Sequence, residues 1–185
     1  GHALQCSMRA DEASGVFDWS GLAPTARVIR YDARAHGESC SELDPRGCAW
    51  ESLARDMWRV ADDCGAERPV LGGASMGCAT AVWAAMQRPR RVAGLVLVIP
   101  PTAWELRPRQ VRSYLMMARL VRIAGRLPFR AANAILGERV AGSPLQAIAR
   151  EVVRGLATRD PRNVEAAFKG AALSDLPAIE DCARL

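Results

Sequence analysis

The sequence predicts an α/β fold in which a central, mostly parallel β-sheet is flanked by helices and carries a helical insertion. Two observations predict this fold class. Short aliphatic or β-branched runs alternate with segments of helical period through the first half of the chain. After Pro101 only helical segments follow, separated by glycine and proline. We therefore expect a core over residues 1–102, a helical insertion over residues 103–175 and the start of a return to the core over residues 176–185.

The first elements follow from composition and period. Residues 1–17 are polar and predict a loop with a short helix over residues 8–13. Residues 26–31 form a β-branched run that predicts a strand, and the polar octet 32–39 after it predicts a structured loop. Apolar residues at helical spacing then predict a helix over residues 50–64.

The next elements surround a serine that lies between glycines. An apolar run predicts a strand over residues 69–73, an alanine-rich segment predicts a helix over residues 76–87, and a second aliphatic run predicts a strand over residues 92–99. Because helices separate these strands, the sheet should be parallel and covered on both faces. In the insertion, the apolar period predicts helices over residues 110–123, 129–136, 144–157 and 161–171.

The stretch Gly73-Ala74-Ser75-Met76-Gly77 matches the pattern Gly-x-Ser-x-Gly. In that pattern a nucleophile sits on a strand-to-helix turn so tight that only small residues fit two positions to either side. Ser75 is therefore the candidate nucleophile, and Gly73 and Gly77 are the glycines of the turn. A plain connection between a strand and a helix remains the alternative.

Composition argues against several function classes. The chain has 185 residues, half of them hydrophobic, and a formal charge of +5 that comes from scattered arginines, with Lys169 as the only lysine. Nucleic-acid binding would need a basic stripe interleaved with aromatic residues, so it is not expected. Two histidines and six cysteines without a Cys-x-x-Cys pair argue against a metal site, and no cofactor is expected.

Location and redox state are read from the same features. No apolar run reaches the length of a membrane span, so we expect no membrane partner and a cytoplasmic location. Reduced thiols are favoured, although a bridge between Cys40 and Cys48 stays open. The chain starts without methionine and stops at Leu185 with no closing signal, so we expect a fragment that could lack targeting signals. The oligomeric state is not indicated.

Three features in this order resemble the α/β-hydrolase fold enzymes. The octet Asp32-Ala33-Arg34-Ala35-His36-Gly37-Glu38-Ser39 resembles the family's Asp-x-Arg-Gly-His-Gly-x-Ser turn, the Ser75 turn follows one helix later, and a helical insertion follows the next strand. Ala35 stands where the family has glycine, so this turn must accept a side chain. The resemblance implies an incomplete fold, from the end of the third strand to the sixth of eight, with residues 103–175 as a cap.

The resemblance also implies an oxyanion hole. Gly1-His2 would be the remnant of the family's His-Gly loop, so that the backbone N–H groups of His2 and Met76 would be the two donors. The family's triad runs serine, acid, histidine along the chain, but His2 and His36 both precede Ser75. The base is therefore expected to be missing, with His36 structural. The acid is expected to be missing too, because the distant candidates are more simply explained as surface carboxylates: Glu105, Asp175, Glu180 and Asp181.

A serine at the turn disfavours the epoxide hydrolase and haloalkane dehalogenase branches, which need a carboxylate nucleophile. Esters, lactones, thioesters, carbon–carbon bonds beside a ketone and cofactor-free perhydrolysis remain open. The resemblance points to a small hydrophobic ester or lactone as substrate, handled by an esterase-, lactonase- or haloperoxidase-like enzyme. The 185 residues alone should be nearly inactive. The alternative is a non-catalytic relative that binds a small ligand.

Some insertion side chains could face that substrate. Trp104 is the first candidate, three residues join it, and plain core packing is the alternative for all four: Trp104, Tyr114, Met116 and Met117. A row of arginines is predicted to be a solvated face, with anionic substrate recognition as the alternative: Arg112, Arg119, Arg122 and Arg126. Val111, Leu115 and Ala118 are predicted to be its apolar complement.

Overall fold

The computed structural model describes residues 8, 20–22, 24–39, 44–124 and 160–185. Its helices and strands are α1 (Trp50–Asp63), β1 (Val70–Ala74), α2 (Met76–Gln87), β2 (Gly94–Val98), α3 (Arg107–Ala124), α4 (Pro161–Ala172) and α5 (Ile179–Cys182), with 3₁₀ turns at Ser20–Leu22, Pro89–Arg91 and Trp104–Leu106. The helices predicted over 129–136 and 144–157, and most of the one over 8–13, lie outside the described residues. No helix in the described ranges is both long and apolar enough to cross a bilayer.

The sheet is built from two parallel strands joined through a helix. β1 pairs with β2 in the register that sets Val70 opposite Gly94 and Ala74 opposite Val98. The chain runs from β1 into α2 and returns along β2, so the carboxyl ends of both strands lie at one edge. The predicted α/β class, a parallel sheet flanked by helices, is confirmed.

The helix α2 is the centre of the core. Nine of its twelve residues are buried, and most of these are small, which lets neighbouring elements approach its backbone closely. One buried cluster joins α1, β1 and α2 through Ala54, Trp58, Leu71 and Ala81, together with Ala61 and Ala84. The indole Nε1 of Trp58 donates to the carbonyl of Ala84 at 2.8 Å, so this large ring is fixed against α2.

The outer side of Trp58 is covered by two arginines. The guanidinium carbons of Arg88 and Arg91 lie 5.1 and 5.0 Å from the ring centroid. Both guanidinium groups also bind the Asp62 carboxylate, at 2.9 and 2.5 Å, and hold its pKa below the usual value. These contacts tie the end of α1 to the segment that follows α2.

Helices α3 and α4 pack along their lengths. Ala118 and Val121 of α3 are buried against Phe168 of α4, and the rings of Tyr114 and Phe168 are 6.2 Å apart. The buried face is therefore centred on positions 114, 118 and 121. The prediction that Leu115 belongs to this buried face is wrong, because Leu115 is 49% exposed.

The predicted arginine row on α3 is exposed where it is described. Arg112, Arg119 and Arg122 are all accessible to solvent, and Arg126 lies outside the described residues. This is the arrangement expected of a solvated face.

Two expectations about the sheet are not met in the described part of the chain. Residues 26–31 do not form a strand; they run irregularly, with the Arg27 side chain bonded to the carbonyl of Cys64 at 3.0 Å. A β-branched run becomes a strand only beside a partner edge, and no backbone ladder joins it to β1. The prediction that both faces of the sheet are covered is also wrong in this part of the chain, because Val70 and Val96 on one face of the sheet are 60% and 56% exposed.

We expect Trp58→Ala to lower the free energy of unfolding by about 3–5 kcal/mol, because it empties a fully buried indole site between α1 and α2. Urea denaturation of both proteins measures the change. Asp63→Ala, an exposed position on the same helix, is the matched control and should stay within about 0.5 kcal/mol of wild type. Equal effects of the two substitutions would contradict the assigned core.

Candidate active site

Ser75 occupies the single residue between β1 and α2. Its backbone has φ 51° and ψ −112°, a conformation that side-chain-bearing residues rarely adopt. The serine is half-buried and stands at the carboxyl end of the strand. Strain of this kind costs on the order of 1–3 kcal/mol and persists only where the surroundings impose it.

The strain is imposed by a close approach of two glycines. A Cβ at Gly73 would lie 2.4 Å from the carbonyl carbon of Gly77 and 2.6 Å from its Cα and oxygen. A real side chain at Gly73 would therefore collide with the backbone, which cannot rotate away. This contact explains in physical terms why the sequence needs the smallest residue on the strand side of the serine.

The turn is also held by the end of β2. The backbone N–H of Ser75 donates to the carbonyl of Val98 at 3.0 Å. The thiol Sγ of Cys78 lies 3.1 Å from the carbonyl oxygens of both Gly73 and Val98, and burial raises the pKa of this thiol. Sequence reasoning missed Cys78, although its position one helical turn after the serine was the available signal.

Met76 begins α2 directly after the serine. Its side chain is 6% exposed and packs with Trp50, Leu53 and Ala79. The first amides of a helix have no acceptor within the helix, and the helix dipole places partial positive charge there. The backbone N–H of Met76 therefore has no acceptor within α2 and lies next to Ser75 in the chain. The other predicted donor, His2, lies outside the described residues.

The octet 32–39 folds into a turn around the carboxylate of Asp32. Asp32 accepts from the backbone N–H of Glu38 at 3.0 Å, and a Cβ at Gly37 would fall 2.1 Å from the same carboxylate. Ala35 is buried with φ 61°, so this turn does hold a side chain in the left-handed region. The Ser39 hydroxyl closes the turn on the Asp32 carbonyl at 2.5 Å.

His36 is a buried part of that turn. Its imidazole is 4% exposed, and Nδ1 lies 2.8 Å from the carbonyl of Arg34. Because a carbonyl only accepts, Nδ1 carries a proton in this arrangement. The contact occupies one imidazole nitrogen inside the octet, in keeping with a structural role.

Arg107 joins the two ends of the predicted insertion. Its side chain is 3% exposed, and Nε donates to the carbonyl of Ser174 at 2.8 Å while one terminal nitrogen donates to the carbonyl of Ala171. The guanidinium carbon lies 4.2 Å from the centroid of Trp50, and burial lowers the pKa of this group. Sequence reasoning missed this residue, since nothing distinguishes it from the other arginines nearby.

Trp104 and Asp175 also connect the start and the end of the predicted insertion. The indole Nε1 of Trp104 donates to the carbonyl of Pro177 at 2.9 Å, and its backbone N–H donates to the Asp175 carboxylate at 3.3 Å. Asp175 also accepts from the N–H of Leu176 at 2.7 Å. Its carboxylate therefore holds this connection. The Trp104 side chain is still 42% exposed, which leaves a face open to solvent.

The remaining candidates have separate places in the structure. Glu105 and Glu180 are exposed, and Asp181 pairs with Arg184 at 3.3 Å. Tyr114 packs inside the helical layer with Phe168, and burial raises its pKa. Met117 packs against the same layer, whereas Met116 is 47% exposed. Among the described residues, no three metal-ligating side chains converge.

The carboxyl edge of the sheet concentrates backbone strain. Ile99, directly after β2, has φ 54°, and Trp104 has φ 50°. A β-branched residue with positive φ is an outlier, and here it follows β2 as Ser75 follows β1. Ligands of open α/β sheets bind outside the carboxyl ends of the strands. Ser75 therefore lies where such a fold places its ligand site.

Comparison with known proteins decides the family. A family profile described as the alpha/beta hydrolase fold matches residues 18–158, which is most of the chain. The chain belongs to the α/β-hydrolase fold family. The resemblance carried by the octet and by the serine turn is thereby confirmed at the level of family and fold.

Individual α/β-hydrolase relatives match shorter stretches. A putative carbamate hydrolase, RutD, of Variovorax paradoxus (strain S110) is 40% identical over 78 residues, covering 42% of this chain and 28% of that protein. The sn-1-specific diacylglycerol lipase ABHD11 of Mus musculus is 39% identical over 72 residues, covering 39% of this chain and 22% of that protein. The matches thus span less than a third of the length of these curated relatives.

A solved α/β-hydrolase structure matches over a longer range. The thermophilic esterase from Thermogutta terrifontis, solved with malate bound, superimposes with a TM-score of 0.59 at 25% identity. The match covers 83% of this chain and 56% of the esterase. Hydrolases of ester-like substrates are therefore the class to which this family member is similar.

We expect Gly73→Ala to lower the free energy of unfolding by about 1–3 kcal/mol or more, because the new methyl group overlaps the Gly77 backbone. Chemical denaturation measures the loss. The control is Gly94→Ala in β2, where a Cβ would meet only a methyl group of Val70 at 4.0 Å. A Gly73→Ala protein as stable as the Gly94→Ala protein would show that the two turn glycines are not in contact.

We expect the Cys78 thiol to react with iodoacetamide only at higher pH than an ordinary cysteine. The thiolate is the reactive form, and burial raises the pKa, so less thiolate exists at any given pH. Mass spectrometry of the labelled peptide against pH measures the midpoint. In urea the midpoint should fall to that of an unperturbed thiol, about 8.5. A midpoint that urea leaves unchanged would refute the burial of this thiol.

Proposed function

We propose that this α/β-hydrolase acts on a small ester, lactone or related acyl substrate, with Ser75 as the nucleophile. The observation that carries the proposal is the strained backbone of Ser75, at φ 51° between β1 and α2. Such strain at the carboxyl edge of a parallel sheet is typical of a functional residue. A connection with no chemical task would be expected to relax to an ordinary turn.

The reaction would proceed by acyl transfer. The Ser75 oxygen attacks the carbonyl carbon while a general base takes its proton, and the carbonyl oxygen becomes an anion. Collapse of the tetrahedral intermediate expels the alcohol, which takes a proton, and leaves an acyl-serine. Water then attacks the acyl group by the same steps and releases the acid. The protein must stabilise the oxyanion twice.

The oxyanion donors we propose are backbone amides. The N–H of Met76 is supported by its position at the first residue of α2, beside Ser75 and at the positive end of the helix dipole. The N–H of His2 remains the proposed second donor on the family resemblance alone. Each such donor is worth roughly 3 kcal/mol in the transition state.

The substrate class rests on similarity and on the nucleophile. The relatives are named as a carbamate hydrolase, a diacylglycerol lipase and an esterase, all of which cleave at a carbonyl carbon. A serine nucleophile suits the same carbonyl chemistry. Trp104, which follows β2 in the chain and is 42% exposed, is the proposed contact for the apolar part of the substrate.

Non-catalytic ligand binding is a second candidate function, and one observation favours it. Both histidines of the chain precede Ser75, whereas the family places its base after the nucleophile. Non-catalytic binding of a small ligand at the same site needs no base. The two proposals share the site around Ser75 and differ in whether Ser75 is chemically activated.

Labelling with a fluorophosphonate probe tests the activation of Ser75. We expect the product of the whole reading frame to label, and Ser75→Ala to lower the labelling rate at least about 100-fold, because the probe reacts only with an activated serine. Ser113→Ala is the control, since that hydroxyl contacts its own helix carbonyl at 3.4 Å and should leave labelling unchanged.

The same experiment on the 185-residue chain alone separates the two functions. Labelling of the whole product but not of the 185 residues would support a serine hydrolase whose base lies elsewhere in the polypeptide. Absence of labelling in both, with a native circular dichroism spectrum, would sink the hydrolase proposal and favour ligand binding.

A further inference from the structure

A cavity away from Ser75 lies between the octet turn and α1. It is open to solvent, has a volume of about 330 Å³, and is lined by Arg34, Arg46, Gly47, Ser52, Arg55, Asp56 and Arg59. None of the residues proposed for catalysis lines it. The cavity is therefore a feature that the proposed hydrolase function leaves unexplained.

The charge of this cavity is strongly positive. Its lining holds four arginines and one aspartate, so four positive charges face one negative charge and the lining carries a net charge of +3. Arginine presents planar, forked N–H donors that match the oxygens of phosphate and carboxylate groups. Gathering four such groups around one cavity costs electrostatic repulsion, which an anion would relieve.

Asp56 binds two of the arginines. Arg34 binds it through two nitrogens, Nε to Oδ2 at 3.0 Å and a terminal nitrogen to Oδ1 at 2.8 Å. Arg59 donates to the same Oδ1 at 3.0 Å. The Asp56 carboxylate is only 18% exposed and the Arg34 side chain 26% exposed, so this pairing holds the Arg34 guanidinium at the cavity wall, whereas the Arg59 side chain is 71% exposed. Fixed donors lose less conformational entropy when a ligand binds.

Ser52 connects two of the other residues that line the cavity, Arg46 and Arg55. Its hydroxyl donates to the carbonyl of Arg46 at 2.9 Å and accepts from a terminal nitrogen of Arg55 at 2.8 Å. Arg55 also lies 3.7 Å from Glu51 at the rim, where both side chains are more than half exposed. A pair this exposed is weak and leaves the Arg55 donors available to exchange.

We propose that this cavity binds a phosphate-bearing ligand, with Arg46, Arg55 and Arg59 as the contacting donors and Arg34 and Asp56 as the frame. Phosphate fits better than a single carboxylate, because guanidinium groups from three arginines that line one cavity can bind several oxygens of one tetrahedral group. A soluble phosphate ester and a lipid headgroup share this chemistry. Nucleic acid is disfavoured, because no aromatic side chain lines the cavity to stack a base.

Titration with inorganic pyrophosphate, followed by isothermal calorimetry on the full chain, tests the proposal. We expect Arg46→Gln/Arg59→Gln to raise Kd at least about tenfold, since it removes two charge-assisted contacts. Arg112→Gln/Arg119→Gln on the exposed face of α3 removes the same charge elsewhere and should change Kd less than about twofold. Thermal melts followed by circular dichroism establish that both variants are folded.

Arg55→Gln provides a second variant at an exposed position, where loss of folding is not expected. A parallel arm measures co-sedimentation with phosphatidylcholine vesicles with and without phosphatidic acid. Pyrophosphate binding that needs the cavity arginines supports a soluble ligand, and vesicle binding that needs them supports a lipid headgroup. Binding to neither, equal loss in the α3 variant, or binding only to an oligonucleotide would overturn the proposal.

Discussion

The contact between the backbones of Gly73 and Gly77 sets the geometry on which the candidate site depends. Because the two glycines meet without side chains, β1 can turn into α2 across one residue. That residue, Ser75, is left in a strained conformation with its N–H bonded to the end of β2. The position of the serine is thus determined by the packing of a strand against a helix.

The surrounding core supplies the stability that this strain requires. α2 is buried along most of its length and packs against α1 through Trp58 and small residues. Cys78 adds contacts with the carbonyls of Gly73 and Val98. A strained residue persists where its neighbours over-determine its conformation, and here the strand end, the helix start and the thiol do so together.

Local sequence signals predicted the elements whose stability is local. The helix over residues 76–87 was predicted with the bounds it has, because alanine-rich composition and the glycine turn mark both its ends. The helix over residues 50–64 and the two strands were predicted to within two residues. That the octet turn must accept a side chain at Ala35 followed from comparing the octet with its family pattern, and the left-handed φ of Ala35 is the structural form of that departure.

Structural features that depend on residues far away in the sequence could not be predicted from local patterns. Residues 26–31 have the composition of a strand, but strand formation depends on a neighbouring edge that composition does not encode. The buried face of α3 is shifted from the expected one because Phe168 of α4 determines which side is covered. Arg107 is buried by carbonyls more than sixty residues away, which no local pattern marks.

The bonding of Arg107 has a consequence for how this protein can vary. Its guanidinium binds carbonyls at the end of the predicted insertion, so both ends of that segment are joined at one point beside Trp50. A segment whose two ends are joined in this way can vary between those ends independently of the core. Changes in the length or sequence of the residues between its ends would leave these bonds in place, so the two ends would stay together beside Trp50.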